Sequence, residues 1–320
     1  MRASIPLVLL ISLMGRAPVE GAQQSSPDAA SSPPPISTPA SLRGTEIDRA
    51  LRTRDWGRAE QLLVGEIGKE PGSPELLTLL GRVFLMDRKP LNAAIAIKKA
   101  EALGPIDEGT RYALALAYIS LKRGDWARPE LERLAAASAS NVLYQYWLGR
   151  LDYDRAQYGS AIRRFEQVIA RDPTFMRAYD NLGLSYEALN NPERAIPQYR
   201  RAIELNRQAS SRSPWPPLNL GILLRSRGEL DEAEALFREA LAYDTAFAQA
   251  HYQLGALLEQ QGRIEQAVSQ LALAVSHDAR YAAPHYALAR IYRRQGRLVE
   301  AGEALTTFQR LHDAQREGRP

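Results

Sequence analysis

Residues 178–206 read AYDNLGLSYEALNNPERAIPQYRRAIELN, and the pattern in this stretch predicts the fold of most of the chain. Its diagnostic positions are Leu182, Gly183, Tyr186, Ala195, Tyr199 and Ala202. Apolar and small residues at spacings of three and four give each of two helices a single apolar stripe. The stretch therefore predicts a pair of amphipathic helices joined by a turn.

The pattern recurs along the chain at a nearly constant interval. The alanine of the second helix recurs at Ala59, Ala93, Ala127, Ala161, Ala195, Ala233, Ala267 and Ala301. The small residue of the first helix recurs at Gly81, Ala115, Gly149, Gly183, Gly221, Gly255 and Ala289. Only the step from Ala195 to Ala233 is longer than the others, by four positions. One hairpin cannot bury its stripe alone, so this repetition predicts a stack of hairpins.

These residues resemble the tetratricopeptide repeat (TPR) family, whose Leu-Gly-x-x-Tyr motif is present as Leu182, Gly183 and Tyr186. The resemblance covers about residues 43–313. It implies an all-α fold, a right-handed superhelical solenoid of about eight helix-turn-helix hairpins. We expect the small residue and the alanine to lie where the two helices of a hairpin touch.

The array departs from the pattern in three places. Ile47 stands where the first unit should have a small residue, so that unit is degenerate. In the third unit, either Ala127 or Pro129 could fill the alanine position. An insertion near residues 208–217 (QASSRSPWPP) predicts a bulged, fairly rigid loop, in which Trp215 packs against the preceding helix or, alternatively, contacts a ligand. Residues 314–320 are expected to form a C-terminal tail.

The N-terminus has the features of an export signal. Arg2 precedes the apolar run IPLVLLISLM at residues 5–14, which is too short to span a bilayer. We expect residues 1–21 to be a signal peptide and residues 22–42, rich in Ser and Pro, to be a disordered linker. No integral span is expected in the mature chain, which is predicted to be periplasmic or secreted.

No reaction chemistry is evident in the sequence. The chain has no cysteine, which excludes disulfides, thiolate catalysis and cysteine-bound metals. His251 and His285 are one repeat period apart, which favours repeat equivalence over a metal pair. No nucleophile, base and orienting group form a recognisable set. A net charge of +4 is too balanced for a nucleic-acid partner. We expect no catalytic residues, no metal and no cofactor.

In TPR proteins the first helix of each hairpin lines a concave surface, so its polar positions are the candidate binding residues. The proposed groove consists of Asn181, Asn219, Gln253, Tyr112, Tyr146, Tyr252, Tyr286, Arg82, Arg150, Arg225, Arg290, Arg293 and Arg294. Amides can donate to and accept from a peptide backbone, tyrosine offers contact area, and arginine can clamp a carboxylate. The amide run resembles the asparagine ladder in the TPR half of O-linked N-acetylglucosamine transferases. Each group also has an alternative role without a ligand: the tyrosines would pack at the edge of the core, and the amides and arginines would lie on a solvated face.

The sequence thus predicts a non-catalytic interaction scaffold of the cell envelope that binds an extended peptide or partner protein in its groove. The alternative is a module that binds a glycan or anionic polymer and supports polysaccharide export. An enzyme is disfavoured because no catalytic constellation is present.

Overall fold

The structure, a computed structural model, describes residue 36 and residues 38–317. The predicted signal peptide and most of the predicted linker lie outside the described residues. Within them the helices are α1 (Glu46–Arg52), α2 (Trp56–Lys69), α3 (Pro74–Met86), α4 (Pro90–Leu103), α5 (Glu108–Ser120), α6 (Gly124–Ala137), α7 (Val142–Asp154), α8 (Tyr158–Arg171), α9 (Met176–Ala188), α10 (Pro192–Gln208), α11 (Trp215–Ser226), α12 (Leu230–Tyr243), α13 (Ala248–Gln260), α14 (Ile264–His277), α15 (Ala282–Arg294) and α16 (Leu298–Glu317). No strand occurs in this part of the chain, and the all-α expectation is confirmed.

The described chain divides into two compact units. The first ends at Asn190 and contains α1–α9, and the second begins at Asn191 and contains α10–α16. In each unit consecutive helices pack as hairpins, such as α3 with α4 and α13 with α14. First helices also pack on first helices of neighbouring hairpins, as α7 does on α9 and α11 on α13. No helix within residues 38–317 is long and apolar enough to cross a bilayer.

The repeated alanine has one fixed place, since it is the fourth residue of every second helix from α2 to α16. Seven of the eight alanines are fully buried, and Ala301 of the last hairpin is 8% exposed. In the third unit Ala127 fills this place, whereas Pro129 is exposed. The uncertainty about that hairpin is therefore settled in favour of the regular repeat period.

The small residue of the first helix lies beneath a large side chain one turn past the alanine. A Cβ added to Gly149 would lie 2.7 Å from Cε1 of Phe165, and one added to Gly221 would lie 2.6 Å from Cε1 of Phe237. Distances this short cannot be accommodated without movement of the ring. The close approach of the two helices was expected, but the side chain that enforces it follows the alanine by four residues.

Each hairpin turns at a residue with a left-handed backbone, two positions after the first helix. The turn residues are Arg54, Arg88, Lys122, Ala156, Asn190, Gly228, Gly262 and Gly296, with φ between 55° and 82°. Glycine adopts this conformation without steric cost, whereas a residue with a Cβ is strained in it. The first five hairpins therefore tolerate a strain that the last three avoid.

The ends of the array extend beyond the sequence-based boundaries. A 3₁₀ turn at Ala40–Leu42 precedes residue 43, and the Thr38 hydroxyl donates to the Asp48 carboxylate at 2.7 Å. At the other end α16 continues to Glu317, past residue 313, since its last residues are good helix formers.

The insertion forms a loop that hydrogen bonds hold in place. The helix α10 has 17 residues where α8 has 14, and the side chain of Asn206 then holds the loop. Its Nδ2 donates to the Ser213 carbonyl at 2.8 Å, and its Oδ1 accepts from the Ser213 backbone N–H at 2.8 Å. Trp215 is 5% exposed and packs edge-on against Phe247 of the following hairpin at 4.9 Å. This aromatic contact therefore joins the loop to the helices that come after it in the chain.

Candidate functional site

The candidate residues of the first unit are all buried. Tyr112 is 3% exposed, Tyr146 is 1%, Asn181 is 2%, Arg150 is 8% and Arg82 is 9%. They lie where first helices of neighbouring hairpins contact each other, as α7 contacts α9. In the first unit this set therefore contributes to packing and not to an open surface.

Asn181 links α9 to α7 by hydrogen bonds. Arg150 Nη1 donates to Asn181 Oδ1 at 3.0 Å. Asn181 Nδ2 donates to the Arg177 carbonyl at 2.8 Å and lies 3.4 Å from the Tyr146 hydroxyl. Both functions of the amide are thus satisfied within the unit, and none is left for a peptide backbone.

A second bond of this kind joins α5 to α7. Trp147 Nε1 donates to the Tyr112 hydroxyl at 2.8 Å, and the Tyr112 ring packs edge-on against Tyr144 at 5.4 Å. Burial raises the pKa of Tyr112 to about 12, and the hydrogen bond from Trp147 opposes this only in part. The phenol is therefore neutral over the physiological range.

The expectation of exposed amides is wrong for Asn181 and Asn219, which are 2% and 3% exposed. In the sequence these amides lie off the stripe that faces the second helix, so their side of the first helix was expected to be open. In the structure α7 packs on α9 and Arg150 bonds to Asn181, a contact between hairpins that the pattern of one hairpin does not contain. Gln253, in the same repeat position, is only half-buried.

In the second unit the other candidates reach the surface. We call the half-buried Arg225, Tyr252 and Gln253, together with the exposed Tyr286 and Arg290, the C-terminal first-helix face. These residues come from α11, α13 and α15, and α13 contacts both of the other helices. The structure thus brings part of the predicted set onto adjacent helices in the second unit.

Arg225 is the least satisfied charge of this face. Its Nε is buried without a hydrogen-bond partner, and no described residue forms an ion pair with its guanidinium. Burial lowers the pKa of Arg225, and the side chains of Tyr252 and Tyr281 offset this in part. Gln253 Oε1 is likewise buried without a partner. A donor and an acceptor on adjacent helices are therefore unused.

The predicted arginine cluster of α15 is already partly paired. Arg290 Nη2 donates to Glu259 Oε2 at 2.5 Å, and Arg294 binds the other oxygen of Glu259. The hydrogen bond to Glu259 raises the pKa of Arg290. Arg293 is exposed and has no ion pair among the described residues. Of the three, only Arg293 is available without breaking an existing contact.

Two members of this surface were not anticipated from the sequence. Tyr281 precedes α15 and packs edge-on against Tyr252 at 5.3 Å. Glu259 has a side chain only 6% exposed and anchors two arginines. The residue types at these two repeat positions differ between hairpins, so the repeat pattern does not mark them. The sequence signal for the ion pairs is the spacing of Glu259 from Arg290 and Arg294, 31 and 35 residues, which is close to one repeat period.

The histidines have structural roles. His251 is 7% exposed, with Nε2 3.0 Å from the Thr245 carbonyl oxygen and Nδ1 2.8 Å from Gln270 Oε1. Burial lowers the pKa of His285, and the backbone of Ala279, six residues upstream, opposes this. Thr245 lies six residues before His251 as Ala279 does before His285, but only the His251 ring makes the hydrogen bond, since His285 Nε2 is buried without a partner. No group of three His, Cys, Asp or Glu residues within the described ranges could hold a metal ion.

Comparisons with known proteins agree with the repeat pattern. Models described as tetratricopeptide repeat match residues 148–211, 248–280 and 282–305, and one described as TPR repeat matches residues 221–262. A search of curated protein sequences finds no match.

Solved structures show the same fold at low sequence identity. Yeast Tom70 is 18% identical with a TM-score of 0.64, and the alignment covers 88% of this chain and 63% of Tom70. The Cut9–Hcn1 hetero-tetramer of APC/C matches at 15% identity and a TM-score of 0.64, over 79% of this chain and 49% of that one. PilW, a type IV pilus biogenesis factor, is 19% identical with a TM-score of 0.57, and the alignment covers 63% of this chain and 92% of PilW. With its repeats, hairpins and fold in agreement, the chain belongs to the tetratricopeptide repeat family, whose members typically mediate protein–protein interactions.

Proposed function

We propose that this protein is an exported, non-catalytic scaffold of the cell envelope that binds a segment of a partner protein on the C-terminal first-helix face. Export rests on the apolar run and the Ser/Pro-rich stretch before the array. The scaffold role rests on the family. The place of binding rests on the chemistry of the second unit.

The observation that carries this proposal is Arg225. A half-buried guanidinium without a carboxylate loses hydration and gains nothing in return. A carboxylate of the partner would restore that loss through charge-assisted hydrogen bonds, which arginine forms in a bidentate manner. Gln253 of the adjacent helix α13 is half-buried and adds an amide to the same face. Tyr252 and Tyr286 add contact area at low entropic cost.

The relatives are consistent with such a role. Cut9 is described in a hetero-tetramer with Hcn1, and PilW is described as a pilus biogenesis factor. The first description names a complex with another protein. We carry over only this general class of role, because the sequence identities are 15% and 19%.

The test is affinity capture from an envelope extract of the native host. Three baits are compared: the natural chain, Arg225→Gln, and the matched control Arg200→Gln on the exposed side of α10, where Arg200 is paired with Glu232. We expect a protease-sensitive partner that the control retains. Its affinity for Arg225→Gln should fall roughly 10- to 100-fold, the value of one charged hydrogen bond.

Two results would refute the proposal. Equal capture by Arg225→Gln and by the natural chain would remove Arg225 from the binding surface. A captured component sensitive to glycosidase and resistant to protease would indicate the glycan alternative. Export is tested separately by N-terminal sequencing of the native protein, which should begin at Ala22 or Gln23. A soluble chain that retains Met1 would refute export.

A further inference from the structure

The first unit has an apolar groove that the proposed function does not use. It lies between α4 and the turn from α5 to α6, with a volume of about 440 Å³. Its lining residues are Leu91, Ala94, Ile95, Lys98, Lys99, Ala102, Tyr118, Leu121 and Trp126. Three of these are large and solvent-exposed, with Leu91 at 57%, Ile95 at 54% and Trp126 at 47%.

The repeat supplies an internal comparison for this surface. Ile95 is the second residue after the repeated alanine of α4, and the same position in α2 and α8 holds Gln61 and Arg163. Leu91 is two residues before that alanine, and the same position in α6 holds Asp125. The two neighbouring second helices, α2 and α6, hold Gly57 and Pro129 at the remaining equivalents of Leu91 and Ile95, so neither has a large aliphatic or aromatic side chain at these places.

The helix α4 is therefore apolar on two sides. Its inner side buries Ala93, Ala96, Ile97 and Ala100 in the core of the unit. A helix that is apolar all round is normally covered on all sides. Leaving several large apolar side chains in water is unfavourable, and contiguous patches of this kind typically mark an interaction site.

The charges that line the groove itself are basic. Lys98 and Lys99 are the charged residues of its lining, and no carboxylate of the described chain lines it. Lys98 Nζ is bonded to Glu101 at 2.5 Å, whereas Lys99 has no ion pair among the described residues. Arg123 lies over the Trp126 ring with its Cζ 3.6 Å from the centroid and is paired with Asp125 at 3.2 Å. Lys99 is thus the unpaired charge of the lining, and acidic residues beside the apolar surface of a partner would complement it.

We propose that this groove binds an amphipathic α-helix of a partner protein whose apolar stripe is flanked by Asp or Glu. The α4 stripe from residue 91 to residue 102 is about 17 Å long, or about three helical turns at 1.5 Å per residue. The small side chains of Ala94 and Ala102 lie along it and allow a second helix to approach closely. Side-chain ridges of one helix then fill the groove as in other helix-in-groove complexes.

The experiment uses two synthetic 18-residue helical peptides with the same leucine stripe, one flanked by Glu and one by Lys. Affinities for the full chain are measured by fluorescence anisotropy of the labelled peptides. The variants are Ile95→Glu, Lys99→Glu and the matched control Gln61→Glu, which puts the same charge at the same repeat position of α2. Circular dichroism verifies that each variant is folded.

We expect the acidic peptide to bind and the basic peptide not to bind. Ile95→Glu should weaken binding roughly 10- to 100-fold through lost apolar burial, and Gln61→Glu should leave it unchanged. Lys99→Glu should reduce the preference for the acidic peptide. Equal binding of both peptides, no binding of either, or equal loss in Gln61→Glu would overturn the proposal. Dimerisation of the natural chain that Ile95→Glu abolishes in sedimentation would show instead that a second copy occupies the groove.

Discussion

The replacement of Gly149 by alanine tests the closest helix contact of the fourth hairpin. The new Cβ would lie 2.7 Å from Phe165 Cε1 and 3.1 Å from both Cδ1 and Cζ. Ordinary contacts of this kind need about 3.4–4 Å, so the ring must move by about 1 Å. Phe165 is fully buried and its ring lies 6.0 Å from that of Tyr146, so a movement of the Phe165 ring disturbs a packed core.

Two opposing terms set the size of the effect. Alanine in place of glycine within a helix gains about 1 kcal/mol. Overpacking a dense contact costs about 1–3 kcal/mol. The net change alone is therefore a weak test. Gly65 supplies the control, because it is exposed within α2 and its added Cβ would meet nothing within 4 Å. The difference between the two variants isolates the clash.

Urea unfolding followed by circular dichroism measures both variants. We expect Gly65→Ala to be more stable than the natural chain, and Gly149→Ala to fall about 1–3 kcal/mol below Gly65→Ala. If the array unfolds in more than one step, hydrogen exchange of amides in α7 and α8 gives the same comparison locally. Equal stability of the two variants would refute the assignment of Gly149 to a tight helix contact.

Other contacts lead to four more predictions. Asn181→Ala should cost about 1–3 kcal/mol in urea unfolding, because it leaves buried partners unsatisfied, while Gln253→Ala at the same repeat position should change stability by less than about 0.5 kcal/mol. Ala156→Gly should stabilise the chain by about 0.5–1 kcal/mol in thermal melts, because φ is 57° at this exposed turn position, and a loss of stability would contradict the strain. Because the pKa of Tyr112 is raised, its contribution to stability is intact below pH 10, the ordinary pKa of tyrosine, and is lost as pH rises through about 12. The absorbance at 295 nm of the natural chain minus that of Tyr112→Phe should therefore show an ionisation near pH 12 and not near pH 10. Arg225→Met should raise the stability of the free protein, because an unpaired guanidinium leaves a half-buried place, and lower stability would reveal a hidden partner.

The repeat period was enough to predict the hairpins. A nearly constant spacing placed the alanine in the second helix of each hairpin, but it left Ala127 and Pro129 as alternatives in the third unit, where the structure puts Ala127 at the fourth residue of α6. Such positions can be read from sequence because they depend on contacts within one hairpin, and each hairpin repeats them. The ends of the array and the loop held by Asn206 are not repeated, so the period carries no information about them.

The binding face was less accessible to sequence reasoning. Asn181, Asn219 and Gln253 are equivalent by period, but two of them are buried and one is half-buried. Their exposure depends on the surroundings of each first helix, and the repeat period carries no information about those surroundings. The repeat period also could not predict the groove beside Ile95. Its apolar residues differ from those at the same repeat positions of other hairpins, so the repeated pattern does not contain them.

Comparison of Arg150 with Arg225 indicates which polar residues of the first helices maintain the fold and which are open to a partner. Arg150 donates to Asn181, so its charge is used to join two helices of the first unit. Arg225 has the same side chain and is also desolvated, yet no described carboxylate or amide receives it. Packing alone would favour an apolar residue at such a position, because an unpaired guanidinium is a net cost there. A residue that costs stability in the free protein is explained if it binds a partner. A carboxylate of the partner is therefore expected at Arg225 of the second unit, and not at Arg150 and Asn181 of the first unit, which already bind each other.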